Sequence, residues 1–111
     1  DRNQIQANMR TEDLISLKPL PKKFDAFGCK VKKVNGHDFE KMNETFKKFP
    51  FEKGKVSVVI AETVLGKGLP SIEKRADRWF VNFKEEEVEQ LLKELHGAKK
   101  TKLTSETIVA R

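Results

Sequence analysis

Three short clusters in this 111-residue chain carry residue types that could do chemistry. The first is Gly66-Lys67-Gly68, which follows an apolar run. Ligands of α/β folds bind beyond the carboxyl ends of strands, and a glycine pair there lets backbone approach a cofactor closely. Spacing alone favours a plain tight turn. No Gly-Lys-Ser/Thr follows, so this is not a phosphate-binding loop. The second cluster is Asn3 with Ile5. A carboxamide oxygen and a nearby main-chain carbonyl suit a hard cation such as magnesium, which prefers oxygen ligands. Taken alone, Asn3 reads as a surface residue in a turn. The third is Gly36-His37-Asp38. Adjacent His and Asp side chains diverge, and no Ser or Cys nucleophile is arranged with them. This segment is expected to cap the following helix. His96 falls in the last turn of a helix and reads as structural, and Cys29 reads as a small buried hydrophobe.

The elements that must position these residues follow from periodicity and punctuation. Residues 1 to 12 show no period and read as a loop. Pro21 suits a first helical turn, Phe24 and Phe27 share a face, and Gly28 supplies a left-handed stop, which predicts a helix from Pro21 to Phe27. Cys29 to Val34 reads as a short strand with Val31 inward, followed by an Asn35-Gly36 turn. Asp38 then caps a helix running to about Phe49. Its apolar face is Phe39, Met42, Phe46 and Phe49, and Pro50 stops it. Lys55 to Val64 is the strongest strand. Its nearly continuous apolar run suits a strand covered on both faces, as in a parallel sheet between helix layers. Pro70 to Asn82 reads as irregular or briefly helical. Lys84 to Leu95 reads as a helix with acids at its positive end and a buried stripe of Val88, Leu91, Leu92 and Leu95. Gly97 stops it, and Ala98 to Arg111 reads as a basic tail or linker.

Strand–helix–strand with an apolar second strand implies an α/β three-layer sandwich. Two visible strands are too few for a stable parallel sheet. The chain is therefore expected to be half a domain, or to have its sheet completed by another polypeptide. The polar start, Asp1-Arg2-Asn3-Gln4, lacks a signal peptide and an initiator Met, which fits a processed chain or a fragment.

Composition narrows the functional classes. The net charge is +6, from 23 Lys+Arg against 17 Asp+Glu. The basic residues are scattered and interleaved with acids, and no aromatic-rich strand resembles a base-stacking motif, so nucleic-acid binding is not expected. A single Cys excludes a disulfide framework and fits a reducing compartment. No apolar run approaches the roughly 18 residues that span a bilayer. A cytoplasmic protein is expected.

Taken together, the clusters resemble one family, the thiamine diphosphate-dependent transketolases, and within it the N-terminal subunit of two-chain forms. The blocks run in order: Asp1-Arg2-Asn3-Gln4-Ile5-Gln6, Thr11-Glu12-Asp13, Pro19-Leu20, Phe24-Asp25-Ala26-Phe27-Gly28, Val34-Asn35-Gly36-His37-Asp38 and Ala61-Glu62-Thr63-Val64-Leu65-Gly66-Lys67-Gly68. Each is short, but their order and separations are specific, and they cover about Asp1 to Leu95. The resemblance implies that residues 1 to 97 are the C-terminal portion of a diphosphate-binding domain with a mostly parallel sheet, and that 98 to 111 form a tail or linker. It implies magnesium ligation by the Asn3 side chain and the Ile5 main-chain carbonyl. It also implies cofactor contacts from Ile5, Leu65 and the Gly66–Gly68 turn. No catalytic residue is carried over.

The implied reaction moves a two-carbon ketol unit between sugar phosphates, in the pentose phosphate pathway, with the cofactor doing the chemistry and the protein orienting it. The implied partners are an upstream half-domain carrying Gly-Asp-Gly, a separate pyrimidine-binding subunit or domain, and a homodimer or heterotetramer around them. By itself the chain is expected to be inactive. Three departures stand out. No Gly-Asp-Gly occurs here, Asn8-Met9 replaces a frequent Asp-Gly, and Trp79-Phe80-Val81 stands where relatives carry Trp-His-Gly. Phe80 cannot donate the hydrogen bond that the His gives the donor substrate. The alternatives are a thiamine diphosphate enzyme with another donor, or a non-enzymatic basic binding module.

Overall fold

The computed structural model describes residues 1–78 and 82–97. The element order is β1 (Ile5–Gln6), β2 (Met9–Arg10), α1 (Thr11–Leu14), α2 (Leu20–Ala26), β3 (Lys30–Asn35), α3 (Phe39–Phe46), β4 (Ser57–Glu62), a 3-10 turn (Ala76–Arg78) and α4 (Glu85–Leu95). These elements form two compact units. The first comprises Asp1–Gln4 with Ile15–Thr63, and the second Ile5–Leu14 with the chain from Val64 onward.

The first unit is built on a parallel pair. β3 and β4 run in register from Lys30↔Ser57 to Asn35↔Glu62. On the other side of β4, Arg2 forms a parallel bridge with Glu62. The Arg2 N–H donates to the Ala61 carbonyl at 2.8 Å, and the Thr63 N–H donates to the Arg2 carbonyl at 3.4 Å. β4 is therefore paired by β3 along one edge and bridged by Arg2 on the other. Val34 and Ile60 form the buried core of this unit. Val34 pairs with Ala61 while Ile60 pairs with Lys33, so these two side chains point to opposite faces of the sheet. The expected α/β character with a parallel sheet holds for this pair.

Helix ends follow local chemistry. Pro21 lies in the first turn of α2. Gly28, at φ 80°, closes that helix, with its N–H donating to the Asp25 carbonyl and the Cys29 N–H to the Phe24 carbonyl. Those two bonds make a Schellman cap. Asp38 caps α3 by accepting from the Lys41 N–H at 3.0 Å.

Several expectations need correction. α3 ends at Phe46 rather than about Phe49. Pro50 pushes Phe49 out of helical backbone, and the last turn tightens, with the Lys48 N–H donating to Thr45 and the Phe49 N–H to Phe46. Its apolar face is not buried: Phe39 is 84% exposed, and Phe46 and Phe49 are nearly half exposed. Instead Phe46, Phe49 and Phe51 stack edge to face at 5.4 and 4.7 Å between ring centroids, and the Lys32 ammonium sits 4.7 Å from the Phe51 ring. Residues 1 to 12 are not a plain loop. They hold the Arg2 bridge, the β1–β2 hairpin with Ile5 opposite Arg10, and the start of α1. Strands of two residues are too short to show a period.

The second unit corrects the expected stripe of α4. Its buried residues are Glu87, Leu91 and Glu94, whereas Val88, Leu92 and Leu95 are exposed. Two acids face inward because each satisfies backbone. Glu87 accepts from the Lys84 N–H that opens the helix, and Glu94 accepts from the Ser71 N–H at 2.8 Å. Trp79-Phe80-Val81 and the tail from 98 onward lie outside the described residues. Among the described residues, no helix is long and apolar enough to cross a membrane.

Candidate functional site

The carboxyl ends of the parallel strands converge in the first unit. β4 ends at Glu62 and runs into Thr63, β3 ends at Asn35, and Arg2 bridges the edge of β4 opposite β3. Asn35 turns the chain there: its side-chain oxygen accepts from the His37 N–H at 3.0 Å, and the Gly36 N–H donates to the Glu62 carbonyl at 2.8 Å. Gly36 is required by space. A Cβ at this position would collide with the Thr63 methyl and would lie 3.2 Å from the Ala61 Cβ. The Gly36-His37-Asp38 segment thus packs a strand end and caps α3, as its residue types suggested.

Two side chains tie these ends together. The Asn3 amide donates to one carboxylate oxygen of Asp1 at 2.6 Å, and the Thr63 hydroxyl donates to the other. A carboxylate can only accept, so it must be the NH2 of Asn3 that faces Asp1. The carboxamide oxygen, the atom a hard cation would use, then faces away from Asp1.

The glycine turn belongs to the second unit. The Lys67 N–H donates to the Val64 carbonyl, the Leu69 N–H to Gly66, and the Lys74 N–H to Leu65. Gly66 has φ 74° and Gly68 has φ 96°, both left-handed, so glycine is demanded by the backbone itself. A Cβ on Gly66 would also press on Ile72 at 3.3 Å. Leu65 is half-buried in this turn, and Ile5 is half-buried in β1.

The expected site residues are thus distributed. Leu65, Gly66 and Gly68 share one turn, Ile5 lies in the same compact unit, and Asn3 belongs to the other. Sequence reasoning missed Asp1 and Thr63. The one signal in the chain was an acceptor-only side chain two residues before the Asn. Among the described residues, no group of three His, Cys, Asp or Glu side chains could hold a metal ion. One carboxamide oxygen and one main-chain carbonyl are donors of the hardness magnesium takes, but they are an incomplete set.

Among the described residues, Asp38, Glu52 and Asp77 have carboxyls held below their ordinary range, and none of them belongs to the Asp1–Asn3–Thr63 cluster. Asp38 is lowered first by the Lys41 backbone N–H, Glu52 by Lys55 and then Lys30, and Asp77 by Arg75.

Comparison with known proteins matches residues 1–109 to the family described as transketolase, thiamine diphosphate binding domain. The chain is 37% identical over 95 residues to one of the subunits of the apulose-4-phosphate transketolase of Actinobacillus succinogenes, covering 86% of this chain and 34% of that protein. It is 33% identical over 73 residues to the protein of the same name from Phocaeicola vulgatus, covering 66% of this chain and 26% of that one. It is also 31% identical over 68 residues to the 6-deoxy-6-sulfo-D-fructose transketolase subunit SqwG of a Clostridium species, covering 61% of this chain and 25% of that protein. The chain spans about a third or less of the length of these relatives. With the ordered motifs, the parallel strand pair and this match over nearly its whole length, the chain belongs to the transketolase family, within its thiamine diphosphate-binding domain.

Proposed function

We propose that this chain is the C-terminal portion of the diphosphate-binding domain of a transketolase-like transferase, over residues 1 to 97, with 98 to 111 as a tail or linker. The observation that carries this reading is the family match over residues 1–109. In it, the Asn3 carboxamide oxygen and the Ile5 carbonyl ligate magnesium. Leu65 provides an apolar wall, and the Gly66–Gly68 turn lets main chain approach the cofactor. Thiamine diphosphate, when bound, supplies the chemistry that cleaves and forms the carbon–carbon bond of a two-carbon ketol unit. This chain's own residues bind and orient. The donor set here is incomplete, so a Gly-Asp-Gly segment and a pyrimidine-binding domain must come from other sequence. All three of these relatives are named as subunits of a transketolase, which supports a second, partner chain here.

The experiment is calorimetric titration of thiamine diphosphate with magnesium into the full-length protein assembled with its partner. Asn3→Ala is expected to weaken magnesium-dependent binding. Unchanged affinity would remove Asn3 from the ligand set.

A second reading concerns the donor. The relatives are named for apulose-4-phosphate and for 6-deoxy-6-sulfo-D-fructose, so substrates vary among similar proteins. Phe80, where the resemblance expects a His, favours a donor recognised without that hydrogen bond. Turnover of standard ketose phosphates by the assembled enzyme separates the two readings.

A further inference from the structure

We propose that Asp1 and Thr63 are a positioning pair that aims the Asn3 carboxamide oxygen at the metal; this rests on the reading of Asn3 as a ligand. The terminal torsion of an Asn is broad, so an untethered amide presents nitrogen as readily as oxygen. Here the amide is fixed. Its NH2 donates to Asp1 at 2.6 Å, and the Asp1 carboxylate is itself held from the far side by the Thr63 hydroxyl.

Thr63 in turn is placed by backbone and by packing. Its N–H donates to the Arg2 carbonyl, and its methyl occupies the space that Gly36 leaves open. The chain of contacts therefore runs from the Gly36 turn, through Thr63 and Asp1, to Asn3. Each link lies within the first compact unit. Asp1 has both oxygens engaged by protein donors, which suits an orienting group better than a ligand. Partners that orient a ligand typically change metal affinity 10- to 100-fold when removed.

The test uses the full-length protein assembled with its partner, with Mn2+ as the paramagnetic probe in the presence of thiamine diphosphate. Thr63→Val leaves the charge unchanged and is expected to weaken Mn2+ affinity about tenfold. Thr63→Ser keeps the hydroxyl and should stay within about twofold of the parent, well short of the loss expected on removing an orienting partner. Asp1→Ala supplies a second removal should Thr63→Val fail to assemble. In an Asn3→Ala background, Thr63→Val should change affinity no further, because the pair acts through Asn3. The proposal is overturned if Asn3→Ala weakens Mn2+ binding while Thr63→Val and Asp1→Ala leave it intact. It is equally overturned if Thr63→Val costs as much without Asn3 as with it. If Asn3→Ala itself has no effect, the ligand reading fails first, and the pair's role falls with it.

Discussion

Gly36→Ala tests the packing of the strand ends directly. The new Cβ would overlap the Thr63 methyl and would stand 3.2 Å from the Ala61 Cβ and 3.3 Å from the Glu62 carbonyl. Overpacking of this kind costs about 1–3 kcal/mol. Gly36 is not among the glycines with positive φ, so alanine regains about 0.4–1 kcal/mol through the unfolded chain. The net loss should be about 1.3 kcal/mol, the middle of a span of about 0–2.6 kcal/mol. Thr63→Ser deletes the methyl that is struck. It should cost only about 0.4 kcal/mol by itself, half of one fully buried methylene, because Thr63 is half-buried. With the collision removed, the double variant should be more stable than Gly36→Ala alone, a coupling of about 1 kcal/mol. The assay is thermal unfolding of the full-length protein, in which about 1 kcal/mol moves the midpoint by about 2–4 °C. If the two losses simply add, Gly36 and Thr63 do not meet as described, and the route from Gly36 to Asn3 is broken at its first link.

Three further outcomes are expected. Gly28→Ala should cost about 1 kcal/mol, because φ is 80° and nothing lies within 4 Å of the new Cβ, so strain is purely conformational; Gly28→Asn should lose less by thermal midpoint. Glu94→Ala removes the acceptor of the Ser71 N–H and should cost about 1–3 kcal/mol, with faster hydrogen exchange at Ser71; Glu94→Gln should recover most of it. The Asp38 carboxyl is lowered, chiefly by the Lys41 N–H, so its stabilisation is present above the ordinary carboxylate range and is lost as pH falls through the lowered value. The midpoint difference between the parent and Asp38→Ala should therefore shrink on acidification; a difference that holds constant would assign the effect to something other than the ionised cap.

What was legible in the sequence was local. Pro21 and Gly28 marked the ends of α2, Asp38 marked the start of α3, and the β-branched run marked β4. These signals depend only on neighbouring residues. The Arg2 bridge to Glu62 was not legible, because it joins residues 60 positions apart by backbone alone. Hydrophobic period located the apolar faces of α3 and α4 but said nothing of what covers them. In α4 the burial followed Glu87 and Glu94, whose backbone partners no period reports. At the candidate site, Asn3 could be singled out by residue type and then by resemblance. Its orienting partners could not, since Thr63 reaches Asp1 across 62 positions of chain.

The orientation of α4 gives its carboxylates two different reactivities on one short helix. Glu85, Glu86 and Glu89 are exposed, while Glu87 and Glu94 are 2% and 4% exposed. A carboxyl-footprinting reagent should therefore label the first three and spare the other two, against the order that their shared chemistry suggests. The same reagent becomes a gauge of the helix itself: label at Glu94 would report that α4 has come away from the Ser71 turn before any global unfolding is seen.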